Sequence, residues 1–460
     1  MGWELKKYPM YYGGIKQTYP DIKPGMSFLS KSAIVGNIIF LSGLDGRTLE
    51  TGDVPSNKFE EQMVVCLDNI RLALDEAGSS MDNLVKNFVL LRNFEDYPRM
   101  WKTMLDYYQK HAPHLVEEPP AVTVTQVSAL AKPECLVEID SIAVVSKDEP
   151  GWEMKKYPMY YGGIKQVYPN VEPGIPFLSE SVTVGNLIFV SGMAGENPDT
   201  GRIETNVFEE QWRIALDRVR TAMDKPGSSL SNIIKTLHFT TRVDILLGES
   251  KDVHQSYSPA SDRLWKSELE YYDKYAPLLL DEEPASTFLK VPSLANPDSL
   301  GQVEVTGVIS RYRPGWRVKQ YPCYLAKRGF PRHIGDIRKY YANSVVVGNL
   351  IFISGQCPFD PVTGKIEADV FEEQMVLTLD NLRATMEETG SALENLVKTH
   401  MLLPNPENYP SMRKMELEYY QKYAPPLVDE PPASTVIHPL KLATPRLLIE
   451  IDAIGFIPEC

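Results

Sequence analysis

The chain has 460 residues, 43% of them hydrophobic and 23% charged, with a net charge of −14. That acidic balance speaks against a nucleic-acid partner, which usually calls for a basic surface. Its apolar runs, such as Leu278-Leu279-Leu280, fall far short of the roughly 20 residues of a membrane-spanning helix, so no membrane partner is expected. Five cysteines without a CxxC pair point to reduced thiols. With no basic-then-apolar leader, they predict a cytoplasmic protein.

The text of the chain repeats. Gly2-Trp3-Glu4-Leu5-Lys6-Lys7-Tyr8-Pro9 returns from Gly151 and, more worn, from Gly315. Each header is followed by Val35 to Gly43, Val184 to Gly192 or Val347 to Gly355. Phe59-Glu60-Glu61-Gln62 recurs at Phe208 and Phe371, and an apolar strand carrying an acid closes each copy. Four blocks in one order, three times over, divide the chain into copies at 1–149, 150–313 and 314–460. Units of roughly 150 residues are domains, not solenoid repeats.

In the first copy, Ser32 to Leu41 reads as two strands around a Gly36-Asn37 hairpin turn. Phe59, Met63, Leu67, Ile70 and Leu74 then form one apolar stripe at helical spacing. Asn57 with Glu60 predicts a capping box at its start, as do Asn206 with Glu209 and Asp369 with Glu372; Gly78 predicts its stop. A strand over Leu84 to Leu91, a helix over Tyr97 to His111, and strands over Val122 to Val127 and Leu136 to Val144 follow. The order β-β-α-β-α-β-β puts two helices on one face of a sheet. Three such sheets can bury their other faces against one another around a threefold axis, closing a ring within one chain. The second copy alone carries a Ser-, Asp- and Gly-rich insertion near Leu246 to Asp262, expected to be a surface loop or lid.

These blocks resemble the RidA (YjgF-type) family of reactive-intermediate deaminases. The matching text is the Gly-Asn-apolar-Ser-Gly hairpin, the Glu-Gln-opened helix ending in Ala77-Gly78-Ser79-Ser80, Asp82-Asn83-Leu84-Val85-Lys86, the Pro-Ala strand and the closing strand. Gly355-Gln356-Cys357-Pro358-Phe359-Asp360-Pro361-Val362-Thr363-Gly364 is especially close to the family's wording. The resemblance implies an α/β (α+β) chorismate-mutase-like fold in three repeats, set in a pseudo-threefold ring with a ligand cleft at each boundary. It implies a small-molecule substrate or ligand and no cofactor or metal. One chain then acts as its own trimer. The Gly-Trp headers lie outside the resemblance and either wrap the ring or dock two rings together, their Trp, Tyr and Pro content suiting an interface.

In deaminating members of that family a glutamate on the last strand positions the attacking water; it is matched to Glu138, Glu304 and Glu450, each with the plain alternative of a surface ion pair. A hairpin serine is matched to Ser42, Ser191 and Ser354, where turn chemistry is the alternative. The family tyrosine is matched to Tyr341 alone, Leu29 and Leu178 standing in the other copies. The arginine that grips a substrate carboxylate after the Pro-Ala pair is missing, its places taken by Val122, Ser286 and Ser434. Arg413, where the other copies have Trp101 and Trp265, is a candidate replacement cation, with Arg332 and Arg338 as others; a solvated surface arginine is the alternative.

Three functions follow. One is hydrolysis of an imine, enamine or related C–N bond through the glutamates. The second is a ligand-binding or regulatory ring that no longer turns over. The third is a cyclic amide hydrolase of the three-repeat type using Ser with Lys86, Lys235 and Lys398, which otherwise read as exposed strand positions. An endoribonuclease role, sometimes attached to the family, conflicts with the acidic charge.

Overall fold

The computed structural model describes residues 3–12, 15–16, 29–161, 164–165, 178–242, 263–323 and 341–459. The insertion from 246 to 262, Arg332 and Arg338 lie outside the described residues.

Each copy begins with the expected hairpin. Ser30–Val35 and Ile38–Leu41 pair around Gly36-Asn37, with Gly36 at a φ of 57° that L side chains rarely adopt. The helix Phe59–Glu76 buries its apolar stripe on the sheet and ends as predicted. Gly78 takes a φ of 75°, and the Ser79 amide donates back to the Leu74 carbonyl. The capping boxes do not form. The three helices start at Phe59, Phe208 and Phe371, which puts Lys58, Val207 and Val370 at the cap with no side-chain bond. A buried glutamine one turn in does the anchoring instead. Gln62 donates to the Ser56 and Glu134 carbonyls and accepts from the Leu136 amide, and Gln211 and Gln374 repeat these contacts. This is the physical content of the Phe-Glu-Glu-Gln block: the helix start is tied to the entry of the closing strand.

The second helix, Tyr97–His111, covers the same face. Leu84–Leu91 runs parallel to Ala121–Gln126 and antiparallel to Val137–Val144, which in turn pairs with the hairpin. Copies then join by short parallel pairings: Ala121 to Ser179, Ala285 to Ala342, and Ala433 back to Ser30. The third contact returns to the first copy. Among the described residues all main strands thus form one 19-stranded sheet closed on itself, with the helices outside.

The described start of each header lies along this ring. Leu5–Pro9 adds a strand beside Ser30–Val35, and Met154–Pro158 and Val318–Pro322 do the same in the other copies. Trp3, Trp152 and Trp316 meet edge-on at one end of the barrel, with centroids 4.5 to 5.0 Å apart. Each indole also covers a hairpin glycine of another copy: Trp152 on Gly36, Trp316 on Gly185 and Trp3 on Gly348. A Cβ at any of these glycines would sit within 2.7 Å of the indole. The plug therefore ties copy to copy. Trp152→Ala should lower stability by about 3–5 kcal/mol, the usual cost of truncating a buried aromatic, read as a drop in denaturant midpoint at unchanged slope.

Candidate functional site

The parallel pairing that joins two copies also builds the cleft between them. Ser42 donates its hydroxyl to the Ser30 carbonyl (2.5 Å) and accepts from the Ser434 amide (2.7 Å). Ser191 bonds the Ser179 carbonyl and the Val122 amide, and Ser354 the Ala342 carbonyl and the Ser286 amide. A hydroxyl has one proton, and here each is committed to a main-chain carbonyl. These serines are the joints of the ring.

The following glycine explains where the acid sits. A Cβ on Gly43 would fall 1.8 Å from Glu138 Oε1, and one on Gly355 would fall 1.8 Å from Glu450 Oε1. On Gly192 the colliding group is the Gln302 amide, at 2.6 Å. The sheet register agrees: Glu138, Gln302 and Glu450 face Leu90, Phe239 and Leu402, whereas Glu304 faces Leu237, as Asp140 and Asp452 face Phe88 and His400. The match of Glu304 with Glu138 and Glu450 is therefore corrected by two residues. In the second copy the family position holds Gln302, which cannot exchange a proton.

Glu138 and Glu450 are both buried. Burial, then the neighbouring Asp45, pushes the Glu138 carboxyl up to about 8; burial, then Asp452, does the same for Glu450. Both are protonated at neutral pH. Among the described residues Glu138 Oε2 has no hydrogen-bond partner.

The three clefts differ in what faces the acid. Where the third copy meets the first, Arg47, Glu138 and Gly43 line one cavity with Tyr409, Arg413 and Ser434. Arg413 is 1% exposed, not a solvated surface residue. Its guanidinium donates to Glu416 (2.7 Å) and Ser434 Oγ (3.3 Å) and lies over the Tyr409 ring. The cavity is about 20 Å³, room for one water, and Arg47 at its wall is held by Asp45. Where the second copy meets the third, Ser286, Glu450, Trp265 and Tyr341 come together, the two rings 6.4 Å apart. Behind Ser286 stand His238 and Glu268, two buried ionisable groups that the sequence reading missed. Where the first copy meets the second, Val122, Trp101 and Gln302 take the equivalent places, and none ionises. A larger cavity, about 160 Å³, is lined by Met159, Met193, Ile214 and Arg218, all of the second copy. It is not a boundary cleft, and its Arg218 is closed onto Glu196.

Lys86, Lys235 and Lys398 are not exposed. They point into the barrel, and each reaches the next copy: Lys86 pairs with Glu304, Lys235 with Asp452 and Lys398 with Asp140 (2.5 Å). Each also donates to a main-chain carbonyl, of Val190, Ile353 and Leu41 respectively, and Lys235 and Lys398 donate to the Thr287 and Thr435 hydroxyls as well. His400 bridges Asp140 and Asp452 at 3.0 and 3.3 Å. Burial opposes its charge, but the two carboxylates outweigh that and raise it to about 9. Glu304 thus belongs to a buried ionic layer, and so do the lysines.

A closed ring of αβ copies with an acid at two of its boundary clefts defines the class of protein. The chain belongs to the family described as Endoribonuclease L-PSP, in three tandem copies: the family profile matches residues 23–145, 171–309 and 333–457. A RutC family protein of Pyrococcus abyssi is 31% identical over 126 residues, 27% of this chain and 90% of that protein. A 2-iminobutanoate/2-iminopropanoate deaminase of Dermatophagoides farinae is 28% identical over 116 residues, 25% of this chain and 84% of that protein. The crystal structure of a chorismatase, 10% identical, matches 81% of this chain and 93% of its own with a TM-score of 0.50, a likeness of fold. Among the described residues no helix is long and apolar enough to cross a membrane.

Proposed function

We propose that the chain is a RidA-like hydrolase acting on the imine or enamine of a small metabolite, and that it does so where the third copy meets the first. The observation that carries this reading is the buried carboxyl of Glu138, lining one cavity with the buried Arg413 guanidinium. The deaminase name of the Dermatophagoides farinae relative fits the same class of substrate.

A carboxyl that titrates near neutrality can both give and take a proton. Glu138 protonates the enamine carbon, leaving an iminium ion and a carboxylate. The carboxylate then takes a proton from water as its oxygen bonds to the iminium carbon. In the carbinolamine the same proton passes to nitrogen, the C–N bond breaks, ammonia leaves, and the hydroxyl proton returns to Glu138 as the carbonyl forms. Arg413 supplies positive charge for an anionic substrate group, entering from the second helix instead of the strand position held by Ser434.

The boundary of the first and second copies favours binding without turnover, because Gln302 replaces the acid. Ammonia release from freshly generated imines of several amino acids tests both statements. Glu138→Gln should slow release by about 10²–10⁴-fold, the usual contribution of a positioned acid–base group, while Gln302→Ala leaves it unchanged. Wild type no faster than the uncatalysed reaction, with small ligands still raising the melting temperature, would favour the binding protein instead.

A further inference from the structure

We propose that the boundary of the second and third copies is a separate nucleophilic-serine site, in which Ser286 attacks acyl or phosphonyl electrophiles with His238 as its base and Glu268 as the group that orients the base. The reaction and the cleft both differ from those above.

The three side chains form one hydrogen-bonded line. Ser286 Oγ lies 3.2 Å from His238 Nδ1, and His238 Nε2 lies 3.2 Å from Glu268 Oε1. Glu268 is itself fixed by the Tyr272 hydroxyl, which donates to it at 2.7 Å. A carboxylate on Nε2 selects the tautomer protonated there, leaving the Nδ1 lone pair toward the serine. Thr236 donates its hydroxyl to Ser286 Oγ at 3.0 Å, so the serine's own proton is available to His238. His238 is fully buried and Glu268 nearly so, while Ser286, 7% exposed, is the least buried of the three. That order, from orienting acid through base to the least buried group, the hydroxyl, is what activation of a serine requires.

The other copies argue against a general structural need for this set. At the places of His238, Glu268 and Ser286 the first copy has Val89, Met104 and Val122, all apolar. The third has Met401, Glu416 and Ser434, with the acid held by Arg413. Only the second copy combines base, acid and hydroxyl. Glu450, pressed against Gly355 in the same cleft, is a neutral acid near pH 7 and can donate to a developing oxyanion. In the step itself Ser286 Oγ bonds to the electrophilic carbon, its proton moves to His238 Nδ1, and the leaving group departs with that proton; water then hydrolyses the acyl-serine by the same relay.

The test is labelling of the full chain with a fluorophosphonate, where the Oγ–P bond forms, fluoride leaves and the proton goes to His238. Intact mass and peptide mapping should find one label, on Ser286, and none on Ser434. Ser286→Ala should abolish it, and His238→Gln should slow it by about 10²-fold or more. Glu268→Gln, at an unchanged melting temperature, should also slow it; a merely structural Glu268 would leave the rate alone. An unlabelled Ser286 in the folded wild-type chain, or labelling indifferent to His238, overturns the proposal. Ammonia release at the other cleft is read separately, so either idea can fail alone.

Discussion

The melting temperature of this chain should fall between pH 5 and pH 8, and a Glu138→Gln, Glu450→Gln double variant should flatten the fall and be the more stable protein at pH 8. The sign follows from linkage. Both carboxyls titrate at about 8 when folded, against 4.5 for an ordinary glutamate. Their contribution is fully present below about 4.5 and is lost as pH rises through 8, at about 1.4 kcal/mol per pH unit for each group. His400 adds to the loss at its upper end, because its pKa is raised from 6.5 to about 9. Asp140 and Asp452 work the other way. Lys235, Lys398 and His400 overcome burial and hold them well below the usual carboxylate range, so their contribution disappears only as pH falls below about 3.8. Gln is a fair isostere of the protonated acid, since Gln302 already occupies the equivalent place in the second copy. Melting curves at pH 5, 6, 7 and 8 decide it: a flat wild-type profile, or a double variant that loses stability at pH 8, would mean the carboxyls are ionised in the folded state. Loss of ammonia release in a stabilised variant would then be a stability–activity exchange at one residue.

Much of this arrangement is legible in the sequence because it is periodic. The helical stripe from Phe59 to Leu74, the Gly36-Asn37 turn and the Gly78 stop are local signals, and the fold honours them. The slip at Glu304 has a specific cause. A strand alternates faces with period two, so a shift of two residues leaves every side chain on its own face and every apolar neighbour in place. Val303-Glu304-Val305 therefore imitates Val137-Glu138-Ile139, and only pairing to Phe239 and Leu237 separates them. The lysines were illegible for another reason. The face they occupy is solvent in an isolated copy and becomes interior only when Ala433 meets Ser30 and the barrel closes. His238 and Glu268 did carry a signal, since two buried positions that are apolar in the first copy turn polar together in the second. Comparing the copies with one another finds them; reading one copy does not.

Lys398→Met should destabilise the chain by about 3–5 kcal/mol, the usual result of stripping one partner from a buried ion pair. Lys398 is one of three lysines that each reach into the next copy, and it alone joins the last copy to the first. Its amine also donates to Thr435 Oγ1 at 2.8 Å and to the Leu41 carbonyl. Without it, Asp140 keeps Thr435 and His400 but loses the nearest full positive charge. Adding Asp140→Asn removes the orphaned charge, and the double variant should recover part of the loss in a denaturant-melt cycle. The coupling would be absent if the pair were carried neutral. Chain closure makes a further distinction. Lys86 and Lys235 join copies that the chain already links in sequence, whereas copies three and one are held at this boundary by non-covalent contacts alone, among them the Ala433–Ser30 pairing, the Ser42 joint, Trp3 on Gly348, Lys7 on the Glu394 and Glu430 carbonyls and this ion pair. Lys398→Met should therefore open the ring at that seam before Lys235→Met opens the next, with proteolysis near Ser30 or Pro432 reporting the difference. The seam is also where Glu138 meets Arg413, so the boundary that closes the molecule is the one whose cleft has kept both an acid and a cation.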